Sequence, residues 1–234
     1  MHRIAARIAA LACAVTPALV AAQVQNNGPK AATYITDEDV KTINALPGVD
    51  RTIVSVDIGK SNEQVGMIHR VAAAPGGRGS GGGAAGASAA ARGAAGGGAR
   101  GGGPAAAGEP CGQQSTAPPT DGAPGGIAHD GQTETYIITS GTGTLITGGH
   151  IVNGRKSPPD SEVTKVLNGP SCSGMIAGAD VVKRKVKTGD IIIIPAGVPH
   201  GWTDIIDHVD YLSIRPDPER VLSAGYVNPA LQKK

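Results

Sequence analysis

Residues 189–204 read Gly189-Asp190-Ile191-Ile192-Ile193-Ile194-Pro195-Ala196-Gly197-Val198-Pro199-His200-Gly201-Trp202-Thr203-Asp204. Four consecutive isoleucines bounded by turn residues predict a strand, because β-branched side chains fit a pleated surface. Pro195 fixes one backbone dihedral and Gly197 accepts a positive one, so the chain turns there. His200 is then delivered at the start of a second strand. Period-two alternation places Trp202 and Asp204 on its face.

A second segment upstream has the same make-up: Ile127-Ala128-His129-Asp130-Gly131-Gln132-Thr133-Glu134-Thr135-Tyr136-Ile137-Ile138-Thr139-Ser140-Gly141. Alternation puts Glu134, Tyr136 and Ile138 on one face. Further β-rich runs are expected at Thr52 to Ile58, Val65 to Val71, Gly143 to Ile151, Val181 to Val186, Trp202 to Ile206 and Val209 to Ile214, separated by short turns such as Thr188-Gly189-Asp190. Many short strands at close spacing argue an antiparallel sandwich or barrel. The one helical signal is Thr36-Asp37-Glu38-Asp39, an N-cap leading to Leu46 and ended by Pro47-Gly48.

Between these halves lies a stretch of another kind. From Ala73 to Pro110 there are 15 Gly and 14 Ala in 38 residues, out of 36 Gly in the whole chain. No aromatic or branched apolar side chain offsets the entropy of ordering it, so a disordered insert is expected, continuing through Pro118, Pro119 and Pro124 to Gly126. Its G-x-G patterns neither follow a strand nor open a helix, so they are not phosphate loops. Arg78, Arg92 and Arg100 without aromatics do not make a nucleic-acid tail. A net charge of +2 likewise argues against a polyanion binder.

The first 22 residues place Arg3 and Arg7 ahead of an apolar run that ends in Val20-Ala21-Ala22, the pattern of a cleaved secretory signal. Pro17 interrupts the run, which is too short to span a bilayer, and no later segment could span one. Export puts the chain in a periplasmic or extracellular, oxidising compartment. Cleavage removes Cys13 and leaves Cys111 and Cys172, for which a disulfide is expected. The predicted organisation is therefore a signal peptide (1–22), a helix with the first barrel strands (23–72), the insert (73–126), a barrel core (127–218) and a C-terminal tail (219–234). Subtracting signal and insert leaves 158 residues, enough for one domain.

On its two motif segments the chain resembles the cupin superfamily. The second cupin motif is a Gly, five residues, Pro-x-Gly, two residues, His, three residues, Asn. Gly189, Pro195, Gly197 and His200 fit it, with Asp204 in the Asn position. In the first motif the second His, the Glu and the closing Gly are matched by His129, Glu134 and Gly141, whereas Ile127 stands where the first His belongs. The resemblance covers Thr52 to Pro218 without the insert. It implies an all-β fold, a cupin-type double-stranded β-helix (jelly-roll) barrel, with His129, Glu134 and His200 pointing inward to bind a divalent metal ion such as Fe, Mn, Zn or Ni. Two imidazoles and a carboxylate leave open positions for substrate.

Other residues carry two readings each. His69 is either a replacement fourth ligand or a hydrogen-bonded strand residue. Trp202 either walls a substrate pocket with Ile127 and Ile138 or plugs a core that lacks Phe. Tyr211, Ser213 and Arg215 share a face, and Arg215 either holds a carboxylate inside or lies at the surface near Asp217 and Glu219, the more common place for an arginine. Tyr136 and Asp204 are the candidate proton-transfer residues. Residues 150–178 carry a polar stretch expected to be a rim loop.

The fold does not choose among functions. One reading is a metalloenzyme acting on a small polar molecule, of dioxygenase, isomerase or lyase type. Another is a non-catalytic small-ligand or sugar-binding module with a degenerate site, and a third is a secreted interaction protein using the insert as a spacer. A homodimer is compatible with all of them. Gly-x-Ser-x-Gly, Cys-x-x-Cys and His-Glu-x-x-His patterns are lacking from the mature chain.

Overall fold

The computed structural model describes residues 31–72 and 108–232. The expected signal peptide and positions 73–107 of the expected insert lie outside the described residues.

The chain opens on α1 (Asp37–Asn44). Thr36 accepts from the Asp39 amide while the Asp39 carboxylate accepts from the Thr36 amide, a complete capping box. Twelve strands follow: β1 (Asp50–Asp57), β2 (Asn62–Val71), β3 (Pro110–Cys111), β4 (Ala123–His129), β5 (Glu134–Thr147), β6 (His150–Lys156), β7 (Ser171–Ala177), β8 (Val182–Lys187), β9 (Ile191–Ile194), β10 (His200–Thr203), β11 (His208–Asp217) and β12 (Tyr226–Val227). A π-helical turn, Val163–Leu167, lies between β6 and β7.

The strands hydrogen-bond in the order β12-β1-β2-β11-β5-β10-β4-β7-β6-β3, with β8 and β9 also on β5, and every strand pair is antiparallel. β5 belongs to both halves of the barrel. Its first part lies between β11 and β9, its second between β10 and β8. It changes sheets at Gly141, whose φ is +73° and where a Cβ would lie 2.0 Å from the His208 carbonyl oxygen. Only glycine fits that crossing. This double-stranded β-helix is the fold implied by the two motifs.

Alternation sorts the core. Ile68, Tyr136, Ile138, Leu145, Val186, Ile194, Trp202, Val209 and Tyr211 come from both sheets and meet inside. Ile43 of α1 packs on the outer face of β1 and β2 with Ile53, Val54 and Met67. Ile146, on the opposite face of β5 from Leu145, joins Ile151, Cys172 and Ile176. The expected Cys111–Cys172 disulfide is present and ties β3 to β7. No described helix is long and apolar enough to cross a membrane.

Three sequence expectations change. Residues 111–126, read as part of the insert, contain the end of β3 and the start of β4. The polar stretch within 150–178, read as a rim loop, is a loop only over 157–170; its ends belong to β6 and β7, which pair from His150↔Ala177 to Lys156↔Cys172. The C-terminal tail adds β12 to β1.

Candidate functional site

His129 ends β4, Glu134 begins β5 and His200 begins β10, so three strand ends converge on one point inside the barrel. One ligand atom from each lies within 4.8 Å of the other two, and all three residues are buried. Glu134 Oε2 is 3.1 Å from His129 Nε2 and 3.0 Å from His200 Nε2. The imidazole centroids are 5.2 Å apart.

His200 shows how the site is charged. Its Nδ1 is 3.1 Å from the Val198 carbonyl, which can only accept, so Nδ1 carries a proton, and in the neutral imidazole Nε2 carries the lone pair. That lone pair faces the Glu134 carboxylate, and Nε2 is buried without a donor. With the imidazole neutral, two acceptors at this separation repel, and a proton or a metal ion between them removes the conflict. The donor set thus fits a metal ion, and a carbonyl fixing the tautomer of a ligating imidazole is the usual supporting interaction.

Glu134 is also held from behind. Ser213 Oγ and Arg215 Nε donate to Oε1 at 2.9 and 2.7 Å, and Tyr136 Oη donates to Oε2 at 2.8 Å. Burial alone would raise the Glu134 carboxyl, but its cationic surroundings, Arg215 among them, hold it well below the usual carboxylate range. Burial lowers His129 despite the pull of Glu134. Burial and then the Glu134 charge push Tyr136 well above the usual phenol range, so it keeps its proton.

The remaining predicted residues divide. Ile127 is the cross-strand partner of His200 and is buried, placing an aliphatic side chain where the first motif has a histidine. Ile138 and Trp202 belong to the interior cluster. Trp202 stacks on Tyr211 with centroids 5.3 Å apart and donates from Nε1 to its hydroxyl at 3.2 Å, as a core residue does. Asp204 does not share the His200 face. It lies past the end of β10 at φ +52°, exposed and bonded to Thr203, because alternation ends with the strand. His69 does not reach the cluster: it points outward and bonds Asp210. A cleft of about 200 Å³ lined by Asp121, Ala123, Ile176, Val181 and Lys183 shares no residue with the cluster.

Arg215 reverses the expectation of a surface charge. It is 1% exposed and sits directly behind Glu134, paired on its other side with Asp50 at 2.6 Å. The two-residue spacing of Tyr211, Ser213 and Arg215 placed them on one face, and the buried Tyr211 and Ser213 show that this face is interior.

No family model matches the chain, and no curated protein matches it. Among solved structures, a Bacillus halodurans protein is similar at 9% identity, with 88% of this chain and 97% of that one covered and a TM-score of 0.38. An uncharacterized conserved protein with a double-stranded β-helix domain from Klebsiella pneumoniae is similar at 13% identity, with 81% and 92% covered and a TM-score of 0.34. An oxalate oxidase aligns at 12% identity over 74% of this chain and 54% of its own, with a TM-score of 0.30. The strand that crosses between sheets at Gly141 and the three inward side chains meeting at one point give this chain a double-stranded β-helix fold.

Proposed function

We propose that the barrel binds one divalent metal ion through His129, Glu134 and His200 and acts there on a small polar molecule. The carrying observation is the convergence of three buried ligand atoms, with His200 Nδ1 tied to the Val198 carbonyl and Nε2 turned to the Glu134 carboxylate. The mixed imidazole and carboxylate donors suit Fe, Mn, Zn or Ni. When bound, such an ion supplies Lewis-acid polarisation or an oxygen-binding position, consistent with dioxygenase, isomerase or lyase chemistry.

The chain's own residues have defined tasks. Val198 sets the His200 tautomer, and burial disfavours the protonated form of His129. Tyr136 holds its hydroxyl proton on Glu134 Oε2, which places a donor beside the ligand set. The apolar walls, Ile127 and Ile138 among them, keep bulk water from the cluster. The disulfide supports an exported protein, since such bonds persist in oxidising compartments.

A second reading, a non-catalytic module holding a small ligand, is favoured by one observation, Ile127 in place of a fourth ligand. Metal analysis of the purified full chain after incubation with Fe, Mn, Zn or Ni separates the two. Equimolar metal in the wild type and its loss in His200→Ala is the expected result. Equimolar metal retained by His200→Ala would refute the site, and a wild type that takes up none would leave the module reading.

A further inference from the structure

We infer that Arg215 is the positioning residue of this centre: with Ser213 it occupies Glu134 Oε1, so that the carboxylate turns a single oxygen, Oε2, toward the two histidines. The inference rests on the metal reading above and adds to it what fixes the ligand's orientation.

A carboxylate oxygen has two in-plane acceptor positions. At Oε1 both are used, by Arg215 Nε at 2.7 Å and Ser213 Oγ at 2.9 Å. At Oε2 one is used by Tyr136, and the other side faces the imidazole nitrogens. The donors outside the cluster therefore leave Glu134 one position, and it is turned to His129 Nε2 and His200 Nε2.

The guanidinium is itself immobilised. Nη2 bonds Asp50 Oδ2 at 2.6 Å and Nη1 bonds the Leu167 carbonyl at 2.8 Å, so the planar fork is clamped from β1 and from the π-helical turn while Nε points at Glu134. Gly66 of β2 lies beneath the pair. A Cβ there would sit 3.3 Å from both Arg215 Nη1 and Asp50 Oδ1, so the absence of a side chain gives the ion pair room to cross β2.

Stability alone does not account for this arrangement. Buried arginine and carboxylate groups are costly to desolvate, and apolar residues of similar volume are often as good or better. A cation behind a metal ligand also weakens that ligand's attraction for a dication, and here Asp50 on the far side offsets the charge. Lysine could supply the charge but not the planar fork with one donor on Glu134 and others on Asp50 and Leu167.

The test is titration of the full-length chain with Co²⁺, read by the visible absorption of the bound ion, with thermal unfolding recorded in parallel. Glu134→Gln is expected to abolish the signal. Arg215→Lys is expected to weaken Co²⁺ binding about 10- to 100-fold and to alter the band shape, the range found when groups that orient ligands are replaced. Ser213→Ala, which removes one donor from the same oxygen and leaves the ion pair, is expected to act in the same direction by a smaller factor. Folded Arg215→Lys with wild-type affinity and spectrum would overturn the positioning role while leaving the centre intact. If Arg215→Lys does not fold, an unchanged spectrum in Ser213→Ala overturns it instead. A wild type that binds no Co²⁺ overturns the centre and, with it, this inference.

Discussion

Asp210 gathers three donors on one carboxylate: His69 Nδ1 at 2.5 Å on Oδ1, with Asn44 Nδ2 at 2.9 Å and Ser140 Oγ at 3.0 Å on Oδ2. Burial acts to raise its carboxyl, but the hydrogen bonds, led by that of His69, hold it below the usual value. A group whose folded pKa is depressed contributes stability that is fully present above the unfolded pKa of about 3.9 and is lost as pH falls through the folded value. Asp210→Asn is therefore expected to cost about 2 kcal/mol at pH 7, the scale of hydrogen bonds to a charged group. The cost should shrink below pH 4, and urea unfolding of both chains across that range measures it; a difference that does not change with pH would show that Asp210 acts by packing. His69, which sequence alone left between ligand and hydrogen-bonded strand residue, is the latter. His129, Glu134 and His200 were legible because motif spacing fixes residue type and position together. The burial of Arg215 was not, because the general preference of arginine for the surface says nothing about a carboxylate 81 positions away in the chain.

At the scale of elements, β5 joins the two sheets, and Gly141 is where it crosses. Alanine there meets both a positive φ and a backbone carbonyl at 2.0 Å from its Cβ, so neither side-chain rotation nor repacking relieves it. Gly141→Ala is expected to cost more than about 3 kcal/mol, read by urea unfolding, whereas an unstrained Gly→Ala change would be neutral or stabilising. A loss under about 1 kcal/mol would mean that the crossing shifts freely. The strands that sequence revealed, β1, β2, β5, β8, β9, β10 and β11, each carry β-branched or aromatic side chains. β4 and β7 read Ala-Pro-Gly-Gly-Ile-Ala-His and Ser-Cys-Ser-Gly-Met-Ile-Ala and escaped notice. Their glycines reflect close packing: a Cβ on Gly126 would lie 2.3 Å from the Ile176 side chain. Composition then reads as loop where tertiary contact makes strand.

For the molecule as a whole, the disulfide and the centre lie on adjoining strands. In the β4 and β7 ladder Ala128 pairs with Cys172 and His129 with Ser171, while β10 contributes only the pairs His200↔Ile127 and Gly201↔Gly126 to β4. β7 is thus the main support of the strand that carries His129, and the Cys111–Cys172 bond, closing 61 positions of chain, anchors β7 to the β3 edge. Constraint of the unfolded chain alone makes that bond worth about 4 kcal/mol. Metal bound at a hundredfold excess over its Kd adds about 2.7 kcal/mol. If the bond acted only on the unfolded chain, the metal increment would be the same with and without it. Because the bond also steadies the support of β4, Cys172→Ser is expected to reduce the metal increment by about 0.5–1 kcal/mol, equivalent to a two- to fivefold weaker Kd, as for sites sharing a contact. Urea unfolding of wild type and Cys172→Ser, each with and without Co²⁺, gives the four values needed. Equal increments within about 0.3 kcal/mol would show that the disulfide stabilises the barrel without reaching its centre.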